Sequence, residues 1–461
     1  MALDIVILAA GKGSRMKSDL PKVLHTLAGK SMLAHVLDAA DQLKPDNIHV
    51  VIGHRADAVK ATIDSQQYTA KLHWAIQSEQ LGTGHAVMQA LPNINPDAMV
   101  LIMAGDVPLI EAETLIPLCA ETHGVHVLTA IIDDASGFGR IVRDANNQIT
   151  EIVEHKDADE SQLAIQEFNT GILSAQAKNL SDWLSRVENK NAQKEYYLPD
   201  IIALSMKDEK GVTASITHDT VQVMGINSRL ELSRLERQYQ IRLAEQFLDS
   251  GADIADPARF DVRGNLRLGK DCKIDINALF EGEVSLGDGV TIGPNVLIRN
   301  SQIGDHCTIE ANSIIDHATV ENQCIIGPFA RLRPETHLLD NSKIGNFVEI
   351  KKSVIGIGSK VNHLSYIGDS TVGRNVNIGA GVITCNYDGA NKHQTIIGDD
   401  VFVGSDCQLV APVEIGQGAT IGAGSTITRD APADMLSLSR SKQMKLSGWE
   451  RPTKSPSNNK S

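Results

Sequence analysis

The sequence predicts two differently built domains on one chain: an α/β domain with a mostly parallel sheet, then a β-helix, with one long helix between them. Three observations carry this. Up to about residue 225, short continuously apolar runs alternate with amphipathic stretches, the pattern of a parallel sheet covered on both faces. Between Asn227 and Asp249, apolar residues recur at helical steps. From about residue 286 the period becomes hexameric. A chain of 461 residues also has room for two or three domains, at about 150 residues each.

In the first region, Ile5-Val6-Ile7-Leu8, His49-Val50-Val51-Ile52, Met99-Val100-Leu101-Ile102-Met103 and Val125-His126-Val127-Leu128 read as buried strands, with helices over Met32–Gln42 and Gly84–Leu91. Leu232, Leu235, Tyr239, Leu243 and Phe247 give the long helix one apolar face, and Gly251 is placed to stop it. Aliphatic-Gly pairs then open hexads from Leu286-Gly287 through Ile303-Gly304, Ile344-Gly345 and Ile378-Gly379 to Ile421-Gly422, with a small residue such as Val290, Cys307 or Ala419 four positions on. Three hexads make one triangular coil, and the recurring Gly is expected at the corner where the backbone bends. The hexads break at Thr384–Thr395, and a loop ejected from a rigid solenoid is a natural place for ligand contacts. The expected boundaries are 1–226 for the α/β domain, 227–250 for the linker helix, 251–452 for the β-helix and 453–461 for a flexible tail.

Composition excludes several function classes. Lys+Arg number 43 against 57 Asp+Glu, a formal charge of −14, which argues against nucleic-acid binding. The one basic cluster is the tail around Lys442, Lys445, Arg451, Lys454 and Lys460. No run approaches the roughly 18 apolar residues of a membrane span, and Met1-Ala2-Leu3-Asp4 leads straight into a strand without a charged n-region, so a cytoplasmic protein is expected. The cysteines show no zinc-like spacing and read as small buried residues. Aromatic content is only 4%, consistent with cores built from aliphatic stacks.

Leu8-Ala9-Ala10-Gly11-Lys12-Gly13-Ser14-Arg15-Met16, followed by Pro21-Lys22, is a Gly-rich loop between a strand and a helix. Met16 stands where a dinucleotide fingerprint needs its third Gly, and the Walker G-K-[ST] is absent. The physical logic is nonetheless that of phosphate binding: glycines permit close backbone approach, peptide N–H groups cradle the anion, and Arg15 and Lys22 neutralise charge. Asp106 ends another apolar run, where a carboxylate can hold Mg²⁺ against a triphosphate or simply cap the turn before Pro108. Asn227 is either the cap of the long helix or a second metal ligand.

The Gly-rich stretch resembles the sugar-nucleotidyltransferase pattern L-A-A-G-x-G-[ST]-R-M…P-K. Nearly the whole chain resembles the bacterial bifunctional N-acetylglucosamine-1-phosphate uridyltransferase/glucosamine-1-phosphate acetyltransferases. The resemblance runs through Gln77-Ser78-Glu79-Gln80-Leu81-Gly82-Thr83-Gly84, Gly137-Phe138-Gly139-Arg140, Ile152-Val153-Glu154-His155-Lys156 and Glu167-Phe168-Asn169-Thr170-Gly171. It continues through Gly327-Pro328-Phe329-Ala330-Arg331-Leu332-Arg333-Pro334, Asn346-Phe347-Val348-Glu349-Ile350-Lys351, Asn377-Ile378-Gly379-Ala380-Gly381 and Thr384-Cys385-Asn386-Tyr387-Asp388-Gly389.

The resemblance implies a Rossmann-like nucleotidyltransferase domain and a left-handed parallel β-helix. It implies acetylation of glucosamine 1-phosphate by acetyl-CoA, then uridylyl transfer from UTP to N-acetylglucosamine 1-phosphate with release of pyrophosphate, for cell-wall precursor synthesis. Leu8, Ala9, Ala10, Gly11 and Lys22 would bind the nucleotide, with Gln77, Gly82 and Thr83 reading uracil. Gly139, Glu154, Asn169 and Asn227 would hold the sugar, and Asp106 with Asn227 the Mg²⁺. Arg15 and Lys22 would stabilise the transferring phosphate. In the β-helix, His363 would be the catalytic base, oriented by Glu349. Arg333, Lys351, Tyr366 and Asn377 would hold the sugar phosphate, and Ala380, Asn386, Tyr387, Ser405, Ala423 and Arg440 the acetyl-CoA. A homotrimer is expected, with the loop at Asn386-Tyr387 closing a cleft against a neighbour and Arg440 reaching across to an adjacent chain. Two rivals remain: a plain nucleotidyltransferase with a structural β-helix, which the loop and His363 argue against, and zinc held by His306, His317 and His363 between subunits.

Overall fold

The computed structural model describes residues 2–120 and 122–453, in two compact units. The first takes in residues up to Gln246 together with Asp261–Gly264; the second takes Phe247–Phe260 and everything from Asn265. The tail expected from 453 onward lies, after Thr453, outside the described residues.

The first unit is built on a mixed sheet. Its strands are β1 (Leu3–Leu8), β2 (Asn47–Ile52), β3 (Lys71–Ile76), β4 (Met99–Ala104), β5 (Val125–Ile131), β6 (Arg140–Arg143), β7 (Ile149–Val153), β8 (Glu167–Gln176) and β9 (Val212–Thr217). The order is β9-β5-β8-β4-β1-β2-β3, with β6 and β7 appended beside β8. β1 runs parallel to β2 and β4, β2 to β3 and β5 to β9, whereas β8 is antiparallel to both β4 and β5. The runs read as strands are strands, because Ile5, Val6, Ile7, Val50, Val51, Leu101 and Ile102 are buried on both faces. The ones not read as strands alternate or carry polar residues: Lys71-Leu72-His73-Trp74 sits at an edge, and β8 carries the Asn169-Thr170-Gly171 irregularity.

Helices α1 (Met32–Gln42) and α2 (Ala56–Ile63) pack on the Ile5/Ile7 face, and α3 (Thr83–Ala90), α4 (Ala177–Arg186) and α5 (Ile201–Lys207) on the Val6 face. Ser31 caps α1, its hydroxyl accepting from the Ala34 N–H at 3.3 Å.

The long helix α6 (Arg229–Asp249) is more than a linker. Leu235 is buried with Leu27, Met32, Leu109 and Ile226. Gln240 is wholly buried, donating to Val262 O at 2.7 Å and accepting from Val262 N at 2.8 Å. The first unit therefore claims the helix as far as Gln246, beyond the boundary expected at 226. Gly251, at φ +99°, ends the helix by donating to Leu248 O at 3.0 Å.

The second unit is a parallel β-helix with three faces. One face is an 11-stranded sheet running from Asp253–Ile254 through Thr291–Ile292, Lys360–His363 and Phe402–Val403 to Leu436–Ser437; the other two belong to a 17-stranded sheet. Successive coils superpose residues 17 or 18 apart, as in Asn295 over Asn312 and Asn277 over Asn295. Ile292, Ile309, Ile326, Ile344, Val361, Ile378, Val403 and Ile421 thus form one buried stack. Asn377 pairs with Phe402 because the loop between them is ejected. The coils start at Asp253, ahead of the first aliphatic-Gly pair, because the early turns use two nine-residue strands, Phe260–Leu268 and Ala278–Leu286.

The hexad glycine has a different reason from the expected bend. The left-handed corner falls two residues later and is filled by Gly289, Asn295, Asn312, Gly358 or Asp406. Asn277, Asn295 and Asn312 form an amide ladder down one corner, at 2.9 and 3.2 Å. The hexad glycines themselves lie where the next coil passes closest: a Cβ on Gly356 would stand 2.2 Å from Gly373 O, and one on Gly345 would stand 2.0 Å from Asn362 O. Gly356→Ala is accordingly expected to destabilise the β-helix by about 1–3 kcal/mol, an overpacking cost against immobile backbone. Urea unfolding of the full chain should show the transition of the second unit shifted down and that of the first unit unchanged.

Candidate functional site

Strands β1, β2, β3 and β4 end on one edge, and the segments that leave β1, β3 and β4 wall a cavity of about 450 Å³. Leu8, Ala9, Ala10, Gly11, Lys22, Gln77, Gly82, Thr83, Asp106, Gly139, Glu154 and Asn169 all line it. These are the residues expected at the nucleotide and sugar, apart from Arg15 and Asn227. Ala9 N donates to Val51 O at 2.8 Å and Gly105 N to Leu8 O at 2.9 Å, fixing the two loop starts to each other. Gly13 has φ +60°, and a Cβ there would meet Lys22 Cβ at 2.5 Å, so glycine lets Lys22 fold back under the loop.

Lys22 Nζ bonds both Asp106 Oδ2 and Asn227 Oδ1, the latter at 2.6 Å. One ammonium thus joins the two expected metal ligands. Asn227 is held by its own backbone N–H, which donates to Glu231 Oε2 at 2.6 Å. Arg15 is not brought to the cavity: it is exposed on a 3-10 turn whose inward position is taken by buried Met16, between left-handed Gly13 and Lys17.

Gln77 is buried, with Nε2 on Gly82 O and His85 Nδ1, both at 3.1 Å. Asn169 N donates to Gly139 O at 2.8 Å, joining two of the positions expected at the sugar. Sequence reasoning missed the far wall, Glu195, Leu198 and Pro199. That segment is strapped to the Gly82-Thr83 turn by Gly84 N to Tyr196 O at 2.8 Å and Leu198 N to Thr83 Oγ1 at 3.1 Å. The signal was present as Tyr196-Tyr197, adjacent aromatics in a chain otherwise poor in them. Burial, then the nearby Asp157, Asp200 and Glu195 carboxylates, pushes the Glu154 pKa up. Asp200 is pushed up to about 6 by burial and by Asp157.

In the β-helix the expected acetyltransferase residues fall into two groups. The first follows one corner up successive coils. His363 O accepts from Gly381 N at 3.2 Å, Ala380 O from Asp406 N at 2.8 Å, Ser405 O from Gly424 N at 2.8 Å, and Ala423 O from Arg440 Nη1 at 3.1 Å. His363, Ala380, Ser405, Ala423 and Arg440 therefore lie in one line along a single chain, about 19 Å long at the coil spacing of a sheet. Arg440, expected to reach across to a neighbour, rests on its own chain.

The second group lies on the adjoining face. Arg333 Nη1 donates to Glu349 Oε1 at 2.8 Å, and Asn386 Nδ2 donates to Asp369 Oδ2 at 2.5 Å and Tyr366 Oη at 3.4 Å. Lys392, which sequence reasoning passed over, approaches Lys351, and that approach lowers its pKa. Two ammonium groups side by side mark a place for an anion. Asn377 is not on that face: it starts the strand Asn377–Ile378 of the 11-stranded sheet, pairing with Lys360 and Phe402.

Glu349, expected to orient His363, is spent on Arg333. The partner of the imidazole is Asn346, whose Oδ1 lies 2.6 Å from His363 Nδ1. An amide oxygen only accepts, so the tautomer of the neutral ring that this contact selects has its proton on Nδ1 and its lone pair on Nε2. Of the three histidines weighed for zinc, His317 is turned onto Asp316 at 2.7 Å; no cluster of three or more His, Cys, Asp or Glu suited to a metal occurs among the described residues. Nor is any helix among them long and apolar enough to cross a membrane.

Comparison with known proteins agrees with this division. Residues 5–166 match the MobA-like NTP transferase domain, and residues 265–300 and 394–429 match the bacterial transferase hexapeptide (six repeats). The chain is 55% identical over 454 residues to the bifunctional protein GlmU of Marinobacter nauticus, covering 98% of this chain and 99% of that one. It is 52% identical over 457 residues to that of Bordetella parapertussis, again covering 98% and 99%.

The raised Asp200 pKa has a signed consequence. The folded state binds the proton more tightly than the unfolded chain, so ionisation destabilises the fold as pH rises from about 4 to about 6. Asp200→Asn removes that cost. Its melting temperature should match the parent near pH 4 and exceed it above pH 6, as read by thermal melts across pH.

Proposed function

The chain belongs to the GlmU family of bifunctional proteins, and from that membership and the two sites we infer how it makes UDP-N-acetylglucosamine. It is a glucosamine-1-phosphate acetyltransferase and an N-acetylglucosamine-1-phosphate uridyltransferase, using acetyl-CoA and UTP. The observation that carries the assignment of residues to roles is the single cavity that gathers the phosphate loop, Gln77, Asp106 and the Gly139–Glu154–Asn169 wall.

In uridylyl transfer, a phosphate oxygen of the sugar 1-phosphate attacks the α-phosphorus of UTP in line, and pyrophosphate leaves. Little covalent help is needed, so positioning and charge do the catalysis. With one amide N–H spent on Gly82 O, Gln77 offers a base its carbonyl oxygen. That acceptor suits the N3–H of uracil and opposes the N3 lone pair of cytosine. Lys22 supplies the cation beside the phosphates. Asp106 and Asn227 already converge their oxygens on that cation, a hard donor set suited to Mg²⁺, which takes few protein ligands and the rest from phosphate and water. Bound there, Mg²⁺ would neutralise charge on the triphosphate.

In acetyl transfer, the amine of glucosamine 1-phosphate gives its proton to His363 Nε2 and attacks the acetyl carbonyl; the thioester C–S bond breaks and CoA thiol leaves. Asn346 holds the tautomer that makes Nε2 the base. The line from His363 to Arg440 suits an extended cofactor, thioester at His363 and phosphates at the guanidinium. Lys351 and Lys392, with Arg333, suit the sugar phosphate. A homotrimer fits the exposed apolar corners beside the His363 line: Phe329 and Phe347, stacked at 5.1 Å, and Leu364. A second copy of the chain covering that stripe would exclude water from His363.

Mass spectrometry of products from glucosamine 1-phosphate, acetyl-CoA and UTP, omitting each in turn, tests the two-step reading. Asp106→Ala should lower uridylyl transfer by about a hundredfold or more and leave acetyl transfer unchanged; loss of both in a folded variant would defeat the two-site account. Mixing inactive His363→Ala with inactive Arg333→Ala chains under subunit exchange should restore acetyl transfer if corner and face meet between copies. Mixed trimers without activity would place the whole site within one chain.

A further inference from the structure

The loop between Thr384 and Thr395 is a closed hairpin. Tyr387 and Lys392 form an antiparallel bridge, and Tyr387 Oη donates to Gly389 O at 2.6 Å. One carboxylate ties the hairpin together. Asp388 Oδ1 accepts from Ala390 N at 2.8 Å and Asn391 N at 2.7 Å, while Oδ2 lies 2.6 Å from His393 Nε2. His393 N in turn donates to Asn386 O at 2.8 Å, and Asn386 is buried against Asp369. The ring of contacts runs Asn386–His393–Asp388 and back through the Tyr387–Lys392 bridge. Its two sides carry residues assigned above to the ligands: Asn386 and Tyr387 on one, Lys392 against Lys351 on the other.

We propose that His393 is a positioning residue for acetyl transfer: its contact with Asp388 latches the hairpin so that Tyr387 and Lys392 are held ready for acetyl-CoA and sugar phosphate. It touches neither reactant and acts through Asp388. The backbone N–H groups of Asn391 and Ala390, with His393, also hold the Asp388 pKa below the ordinary carboxylate range. The pair is partly exposed at the surface, so it contributes little to global stability. Its effect is local. A hairpin that must be ordered when ligand binds spends binding energy on ordering, which raises KM and leaves the chemical step at His363 alone.

This inference rests on the acetyltransferase reading. His393→Ala in the full chain should raise KM for acetyl-CoA and glucosamine 1-phosphate by about five- to twentyfold, with kcat within about twofold. His393→Gln, which keeps an N–H donor for Asp388, should recover most of the loss. Hydrogen exchange at residues 388–393 should quicken in His393→Ala and nowhere else in the β-helix. Unchanged exchange, unchanged KM despite faster exchange, or a fall in kcat with unchanged KM would each overturn the latch. A parent chain without acetyl transfer would defeat the acetyltransferase reading instead, while the exchange measurement would still report whether the pair closes the hairpin.

Discussion

Parallel strand pairing in register is the constraint on which both units depend. Strands that run together also end together, so whatever follows each strand is delivered to one level. In the first unit β1, β2 and β4 end at Leu8, Ile52 and Ala104, and the Gly11 loop, Gln77 and Asp106 follow from that edge or its neighbour. In the second unit the same pairing repeats along the coils, so residues far apart in sequence, His363 and Arg440 among them, fall on one corner. A site at strand ends and a site along a solenoid edge are two uses of one hydrogen-bond pattern.

The two sites differ in how they hold charge. In the first, the Lys22 ammonium sits between Asp106 and Asn227, and the nearby Glu154 and Asp200 carboxyls have raised pKa values. It is a cavity with unlike charges packed close, able to exchange partners when phosphates arrive. In the second, Arg333 is matched to Glu349 while Lys351 and Lys392 face each other. Two like charges brought together beside Asp369 make a local positive field on an otherwise acidic protein.

Stability and function use glycine for separate purposes in the β-helix. The hexad glycines admit the next coil's backbone, while the left-handed corners accept Asn, Asp, Phe or Leu. Bulky Phe329, Phe347 and Leu364 at left-handed φ are unusual residues for such corners, and all three are exposed beside the His363 line.

By itself, the sequence determined the two periods, the switch between them and the break at Thr384–Thr395, because these are one-dimensional properties of where aliphatic residues recur. It also determined which motifs carry phosphate chemistry, since loop glycines and basic residues lie close together in the chain. Only the tertiary structure decided partners. No sequence rule assigns the partner of Glu349; Arg333 lies one coil before it and takes its carboxylate, leaving Asn346 to His363. Arg15 reads as a phosphate ligand beside Gly13, yet two left-handed residues turn it outward and Met16 inward. The Glu195–Pro199 wall, the helix claimed by the first unit and the Asp388–His393 contact all depend on contacts whose geometry has no periodic signature. Pattern specifies the backbone; side-chain pairing is settled only when the backbone has brought distant residues within hydrogen-bond reach.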